Sequence, residues 1–178
     1  MKVTADTHTM TRANSLSVRR MVLAAMLAGL GFVLSTFVYF PSMAPFQHFC
    51  NILGAVFLGP WYGFAAALLT GLLRMLTGRT IQAVVGAVFG AFLSGLLYQK
   101  TQKLWMGYVG EVIGTGFISA MVAYPLMKQF YGLDAQSPFF YIPAYLPSSA
   151  VGGLMGCAVI LLLKRSGALD RMLEQLKR

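Results

Sequence analysis

Three polar side chains stand close together in an otherwise apolar stretch of this sequence: Gln47, His48 and Asn51. On a helix Gln47 and Asn51 are four residues apart, and His48 and Asn51 are three apart, so they are neighbours on its surface. Amides and an imidazole offer hydrogen-bond donors and acceptors without full charge, which suits a small heteroaromatic or alcohol ligand. The alternative is that they bond to neighbouring helices. We expect no metal site, because no second His or Cys lies at ligand spacing.

Two charged residues are candidates for the same site. Glu111 is the only ionised residue inside the long apolar stretches of the chain. A carboxylate in such surroundings is costly and faces the interior of a bundle, where a ligand contact and a structural or coupling role are both open. Arg74 is expected near a helix end. Its guanidinium could extend to a polar interface, bind an acceptor on a ligand, or pair with Glu111.

Hydroxyls and aromatic rings add further candidates at the same predicted level. Ser148 and Ser149 open the last long apolar segment and could add hydroxyl contacts. Tyr124 belongs to a group of aromatic residues, most of them expected in an interfacial belt and one or two able to stack on a bound ring. The other members are Tyr39, Phe40, Tyr131, Phe139, Phe140, Tyr141 and Tyr145.

The composition indicates an integral membrane protein. Of 178 residues, 57% are apolar and only 11% charged, and the mean hydropathy is +0.69. A soluble domain carries about 25% charge. Having only two cysteines excludes a disulfide scaffold, and because Cys50 and Cys157 lie in apolar stretches we expect both as buried, inert thiols. The net charge of +9 comes from basic residues at the edges of apolar segments, a pattern typical of an anionic cytoplasmic leaflet rather than of nucleic-acid binding.

Five stretches are almost free of charge and long enough to span a bilayer: 21–40, 46–73, 80–99, 104–126 and 135–163. Prolines in the last one predict that its helix starts near Pro147. The second is ambiguous, because Gly59-Pro60-Trp61-Tyr62-Gly63 at its centre is typical of a helix stop and a turn. The window 46–73 is therefore compatible with one long helix, a re-entrant loop or two short helices.

The distribution of basic residues favours six spans. With six spans and an inner N-terminus, eleven of the fourteen Lys and Arg lie inside and three outside, whereas five spans divide them seven and seven. We therefore predict an all-α, polytopic protein with six transmembrane helices and both termini cytoplasmic. Residues 1–17 are expected as a mobile cytoplasmic tail, 18–165 as the membrane domain, and 166–178 as a short cytoplasmic amphipathic helix.

Motifs for energy conversion and catalysis are missing from the sequence. It has no Gly-x-x-x-x-Gly-Lys-Ser/Thr, no His-Glu-x-x-His, no Cys-x-x-Cys and no Gly-x-Ser-x-Gly. We expect a binding subunit that is not an enzyme, needs no cofactor and borrows its energy from a partner. Small residues four apart, such as Ala24 and Ala28, allow close helix contact. Packing within the chain and docking of a partner's helices both remain open.

Several segments of the chain resemble one known family. They are Pro45-Phe-Gln-His-Phe-Cys-Asn-Ile-Leu, Leu58-Gly-Pro-Trp-Tyr-Gly, Leu73-Arg, Gly110-Glu-Val-Ile-Gly-Thr-Gly and Tyr124-Pro. In this order and spacing they resemble the ThiW family, the substrate-binding S components of energy-coupling-factor (ECF) transporters assigned to the thiazole precursor of thiamine. The resemblance runs from about residue 17 to residue 165.

The resemblance implies a six-helix S component in the cytoplasmic membrane of a prokaryote. Its ligand would be hydroxyethylthiazole, and its partners a transmembrane coupling subunit and two cytosolic ATPase subunits. By motif, Gln47, His48, Asn51, Arg74 and Glu111 would be ligand or gating residues. Ala24 and Ala28 match the motif that contacts the coupling subunit.

The chain departs from the family pattern beside Arg74. Met75 stands where the family has asparagine, and the region from Gly78 to Gly86 introduces Arg79 and Gln82. Because the pocket wall is changed, the ligand could instead be a different small metabolite, including an anionic one. Two further alternatives are a membrane enzyme that uses Glu111 and His48 for acid–base work and a passive scaffold. The enzyme is disfavoured because counting residues from the helix ends places Glu111 and His48 in opposite halves of the bilayer.

Overall fold

A computed structural model of the chain describes residues 3–38, 44–133 and 137–177, and within these ranges it contains helices and no strand. The helices are α1 (Val3–Phe37), α2 (Pro45–Phe57), α3 (Gly59–Leu76), α4 (Gln82–Thr101), α5 (Leu104–Ile113), α6 (Ala120–Tyr131), α7 (Ile142–Arg165) and α8 (Ala168–Lys177). A π-helical segment, Gly114–Ser119, joins α5 to α6. The all-α class is confirmed.

Four helical stretches of the described chain are long and apolar enough to cross a membrane. They are Val18–Phe37 within α1, Gln82–Thr101, Leu104–Tyr131 and Ile142–Arg165. The third runs without interruption from α5 through the π-helical segment to the end of α6. The predicted count of six spans and the side of each terminus stay predictions.

The ambiguous window 46–73 forms two short helices. Helix α2 ends at Phe57 and α3 begins at Gly59, whose φ of 77° is a backbone conformation that favours glycine. Pro60 follows in the first turn of α3, where its missing N–H costs no hydrogen bond. With 13 residues, α2 is only about 20 Å long.

Two helix starts differ from the sequence-based expectations. Helix α1 begins at Val3, so that it includes most of the segment 1–17 that was expected as a tail. The mobility and the cytoplasmic location of this segment stay predictions. Helix α7 starts at Ile142, five residues before the expected start at Pro147. That expectation was wrong because Pro143 sits in the first turn, where proline is tolerated, and Pro147 is accommodated inside the helix.

Small residues bring the helices into close contact. A Cβ on Gly110 of α5 would lie 2.7 Å from the carbonyl oxygen of Leu93 in α4, and one on Gly95 of α4 would lie 2.7 Å from Cα of Pro60 in α3. Ala24 and Ala28 are buried in the core of this chain, where the Thr70 hydroxyl donates a 3.2 Å hydrogen bond to the Ala28 carbonyl. Packing within the chain therefore accounts for these small residues.

Helix α8 closes the opposite end of the bundle from the start of α2. Its Leu169 is buried in the same core cluster as Ala24 and Ile52. The Arg19 guanidinium of α1 donates a 2.7 Å hydrogen bond to the carbonyl oxygen of Gln175 in α8. The helix thus occupies the segment expected as an amphipathic helix and ties the C-terminal region to α1.

Candidate functional site

A cavity of about 330 Å³ opens among the ends of α1 and α3 and the starts of α2, α4 and α7. Its volume is at the lower end of the range for small-molecule sites, about 300–1,000 Å³. Both polar and apolar side chains line it. The lining residues are Ser35, Ala44, Gln47, His48, Arg74, Gly78, Arg79, Thr80, Gln82, Ala83, Gly86, Ala144, Tyr145 and Ser148.

Half of the residues expected from sequence to bind a ligand line this cavity. They are Gln47, His48, Arg74 and Ser148. The Ser148 hydroxyl accepts a 2.9 Å hydrogen bond from the backbone N–H of Ala44, and so ties the start of α2 to α7. Polar residues from three separate helices, α2, α3 and α7, thus line one space.

Glu111 stands behind His48 rather than in the cavity wall. It is fully buried, and its Oε1 atom lies 2.8 Å from His48 Nδ1. The same oxygen accepts hydrogen bonds from the Asn51 amide, at 3.1 Å, and from the Thr115 hydroxyl, at 2.9 Å. Three donors around one oxygen fit a carboxylate acceptor, since charge-assisted hydrogen bonds are about twice as strong as neutral ones.

The contact between His48 and Glu111 overturns the expectation that they lie in opposite halves of the bilayer. That estimate assumed that α2 starts at the membrane surface. In the structure α2 packs against α5, so that His48 lies within reach of the Glu111 side chain. Depth therefore no longer counts against acid–base work by this pair.

The hydrogen bond to Glu111 also orients the imidazole. An ionised Glu111 can only accept, so in that state the Nδ1 atom of His48 carries the proton of this bond. The other ring nitrogen, Nε2, is left for the cavity that His48 lines. The pair therefore presents one defined nitrogen to a ligand.

Asn51 joins α2 to α4 beneath the cavity. Its amide donates to the Ala87 carbonyl at 3.0 Å as well as to Glu111, and its oxygen accepts a 3.2 Å hydrogen bond from the Gln47 amide. Asn51 is buried and does not line the cavity. Asn51 therefore supports Gln47 and the His48–Glu111 pair.

Tyr124 and Ser149 lie away from the cavity wall. Tyr124 packs against a cluster that contains Val85, Ala123 and Tyr141. The Ser149 hydroxyl is buried and donates a 3.0 Å hydrogen bond to the Leu146 carbonyl of its own helix. These observations assign both side chains to packing and helix bonding.

The α3–α4 connection brings Arg79 back beside Arg74. The Thr77 hydroxyl donates to the Arg74 carbonyl at 2.9 Å, and the Arg79 N–H donates to the same carbonyl at 3.1 Å. Gly78 between them has a φ of 95°, which favours glycine. The turn thereby places both guanidinium-bearing residues in the cavity wall.

Four of the residues that line the cavity carry a buried polar atom with no hydrogen-bond partner among the described residues: Ser35 Oγ, Gln47 Oε1, Arg74 Nε and Tyr145 Oη. Buried polar groups are normally hydrogen-bonded, and leaving one unpaired costs about 1–3 kcal/mol. Such atoms collected around one space indicate a binding site for a polar ligand. Glu111 Oε2 and Ser94 Oγ are also unpartnered but do not line the cavity.

Three of the polar groups in or near the site were not singled out from the sequence: Ser35, Thr115 and, within its aromatic group, Tyr145. Ser35 carries no signal, because a single serine in an apolar helix is common. Tyr145 was one of several aromatic residues with nothing to distinguish it. Thr115 lies four residues after Glu111 in the stretch Gly114-Thr115-Gly116, and this spacing could have indicated the hydrogen bond between them.

Comparison with known proteins identifies one family. A family model described as "Thiamine-precursor transporter protein (ThiW)" matches residues 21–166. No curated protein and no solved structure matches the chain. The matched range contains α2 to α7 and most of the apolar part of α1.

Proposed function

Because the chain belongs to the family of thiamine-precursor transporter proteins (ThiW), we propose that it is the substrate-capture S component of an ECF-type importer. In this proposal it binds hydroxyethylthiazole from the outside and releases it inward when coupled to an energising module. The single observation that carries the binding role is the 330 Å³ cavity, four of whose lining residues carry an unpartnered buried polar atom.

We propose that the chain crosses the membrane six times, with both termini on the cytoplasmic side. Two of these spans would be the shorter helices α2 and α3, added to the four long apolar stretches. The cavity would then open on the outer side, since α1 and α3 end there and α2, α4 and α7 begin there. The excess of basic residues at the opposite ends of the helices supports this orientation.

The ligand would be held by neutral polar groups around its ring and alcohol. His48 would present Nε2, Gln47 its unpartnered oxygen, and Ser148 its hydroxyl. Asn51 and Glu111 would act through His48 and Gln47 as positioning residues. A thiazole ring with a hydroxyethyl group needs few hydrogen bonds, and the cavity provides more than enough for it.

Partners would supply the energy, because the sequence contains no P-loop. We propose a transmembrane coupling subunit and two cytosolic ATPase subunits. Ala24 and Ala28 are buried within the chain, but Ala25 is exposed and a Cβ on Gly29 would meet nothing within 4 Å. This Ala25–Gly29 face of α1 is the side on which a partner helix has room to approach closely.

Uptake of labelled hydroxyethylthiazole into cells tests the proposal. The host should lack its own thiazole synthesis and uptake, and should receive this chain with or without an ECF energising module. We expect accumulation only when both are present and when the ATPase subunits are active. Accumulation with this chain alone, or none with the module and normal expression, would contradict the proposed role.

A further inference from the structure

Three of the four unpartnered atoms on residues that line the cavity can donate a hydrogen bond. Arg74 Nε can only donate a hydrogen bond, and the hydroxyls of Ser35 and Tyr145 are free to donate. Only Gln47 Oε1 is restricted to accepting. A ligand with several acceptor atoms can pair with all three of these donors, and the two hydroxyls can also accept.

The charges in the cavity wall are all positive. Arg74 and Arg79 both line the cavity, and none of the lining residues is an Asp or Glu. The Glu111 carboxyl lies behind His48, and its bonded oxygen is already shared by Asn51 and Thr115. Two neighbouring guanidinium groups without a counter-charge repel each other, and an anion between them would offset that cost.

The local structure keeps these groups in place. The α3–α4 turn joins the backbones of Arg74 and Arg79 through a 3.1 Å hydrogen bond. On the facing helix, Gly86 leaves room for the Tyr145 ring, because a Cβ there would lie 3.1 Å from Tyr145 Cε1 and 3.6 Å from its hydroxyl oxygen. The donors are thus built into α1, the end of α3 and α7.

We propose that the cavity contains an anion subsite and that its preferred ligand is a small organic anion, a phosphate monoester or a carboxylate. Arg74 binds the anionic group, Arg79 adds positive charge at the rim, and the Ser35 and Tyr145 hydroxyls donate to its oxygens. This inference rests on the proposed function, since it adds an ionic class to the proposed thiazole-type ligand. The ring would occupy the part of the cavity beside His48 and Gln47.

Purified protein in detergent without added anionic lipid should be titrated with hydroxyethylthiazole, its phosphate monoester, and the analogue whose side chain ends in a carboxylate. Arg74→Gln removes the charge, and Arg74→Lys keeps it. Arg165→Gln, at an exposed arginine in the last turn of α7, is the matched control. Ionic strength is held constant with chloride.

We expect at least one of the two anions to bind about tenfold more tightly than the alcohol, because charge-assisted hydrogen bonds are stronger than neutral ones. Arg74→Gln should reduce that preference to less than about threefold, Arg74→Lys should retain part of it, and Arg165→Gln should leave it unchanged. Equal affinity for the alcohol and both anions, or an equal loss for all three in Arg74→Gln, would overturn the subsite.

A second measurement separates this inference from the proposed function. If none of the three thiazole compounds binds, the thiazole assignment fails, and the subsite is tested with inorganic phosphate alone. Phosphate should then raise the unfolding temperature at constant ionic strength, and Arg74→Gln should abolish the rise. No rise in the native protein would overturn the subsite, as would a rise unchanged by Arg74→Gln. If anionic lipid displaces the bound anion, Arg74 and Arg79 bind headgroups and the subsite is rejected.

Discussion

Glu111 holds the polar network together with one oxygen. Its Oε1 atom contacts donors from α2 and from the π-helical segment, while the residue itself belongs to α5. Removing the carboxylate leaves His48, Asn51 and Thr115 without their shared acceptor in a buried site. Breaking such a buried network by deleting one partner is strongly destabilising.

Glu111→Ala should therefore lower the free energy of unfolding by about 3 kcal/mol. Glu111→Gln keeps an oxygen for the three donors and should cost less than half of that. Unfolding in detergent, followed by circular dichroism, measures both. A loss below about 0.5 kcal/mol in Glu111→Ala would show that the network does not contribute to stability.

His48→Ala and Asn51→Ala should each weaken hydroxyethylthiazole binding by more than about tenfold, which equals 1.4 kcal/mol. The first removes a group in the cavity wall, and the second removes the support of Gln47 and Glu111. Ser166→Ala at the exposed end of α7 is the control. Unchanged affinity in both variants would assign the cluster to packing.

Sequence reasoning found part of the site and missed its connections. The spacing of Gln47, His48 and Asn51 predicts neighbours on one helix, and Gln47 and Asn51 do bond to each other. The partnership of His48 with Glu111 was missed because depth was counted from the helix ends, which placed the two residues in opposite halves of the bilayer. Contacts between residues 63 positions apart depend on how helices are placed, which periodicity does not report.

At the scale of the elements, the approach of α4 to α5 and to the π-helical segment determines where Glu111 can lie. A Cβ on Gly90 would be 2.6 Å from Glu111 Oε1 and in conflict with the Thr115 hydroxyl. A Cβ on Gly107 of α5 would only meet ordinary contacts at 3.5 Å. Glycine at position 90 thus leaves the space in which the network forms.

Gly90→Ala should therefore weaken ligand binding, by about tenfold, through displacement of Glu111 and His48. Gly107→Ala should leave binding within about twofold and serves as the matched control, since it adds the same methyl group at ordinary van der Waals distance. Titration of both purified variants is the measurement. Equal affinities in the two variants would argue against the network as a support of the site.

The face of α1 provides a second test at this scale. Ala28 is buried, so a leucine there would disturb the chain's own packing and could not report on a partner. Ala25→Leu and Gly29→Leu add bulk where there is space. We expect both variants to bind ligand normally and to lose ATP-driven uptake. Ala65→Leu, at an exposed alanine of α3, is the control, and uptake retained by the α1 variants would reject docking on this face.

At the scale of the whole molecule, the sequence predicts the all-α membrane class more securely than the number and arrangement of the helices. Apolar composition and few charges indicate a membrane protein, and the described part of the chain has four helical stretches long and apolar enough to cross a membrane. Gly59-Pro60 indicated a turn, but one long helix, a re-entrant loop and two short helices were all compatible with the sequence. The structure shows two short helices. A glycine and a proline report that a helix stops, and not how the chain continues in three dimensions.

Six spans with inner termini predict a pattern of chemical accessibility. Single cysteines introduced at Arg79, Lys128 and Lys103, in a chain whose Cys50 and Cys157 are replaced by alanine, should divide between the two sides. A membrane-impermeant maleimide added to intact cells should label positions 79 and 128 but not 103. Labelling of position 103 from outside would contradict this topology.

The central claim is that the cavity beside His48 and Arg74 binds a thiamine precursor. The most direct measurement is a calorimetric titration of the purified protein with hydroxyethylthiazole and its phosphate monoester, with thiamine and the pyrimidine precursor as competitors. The account predicts saturable binding of a thiazole compound at one site per chain, lost in His48→Ala and resistant to the pyrimidine. Absence of binding by native, folded protein, or equal binding by His48→Ala, would contradict it.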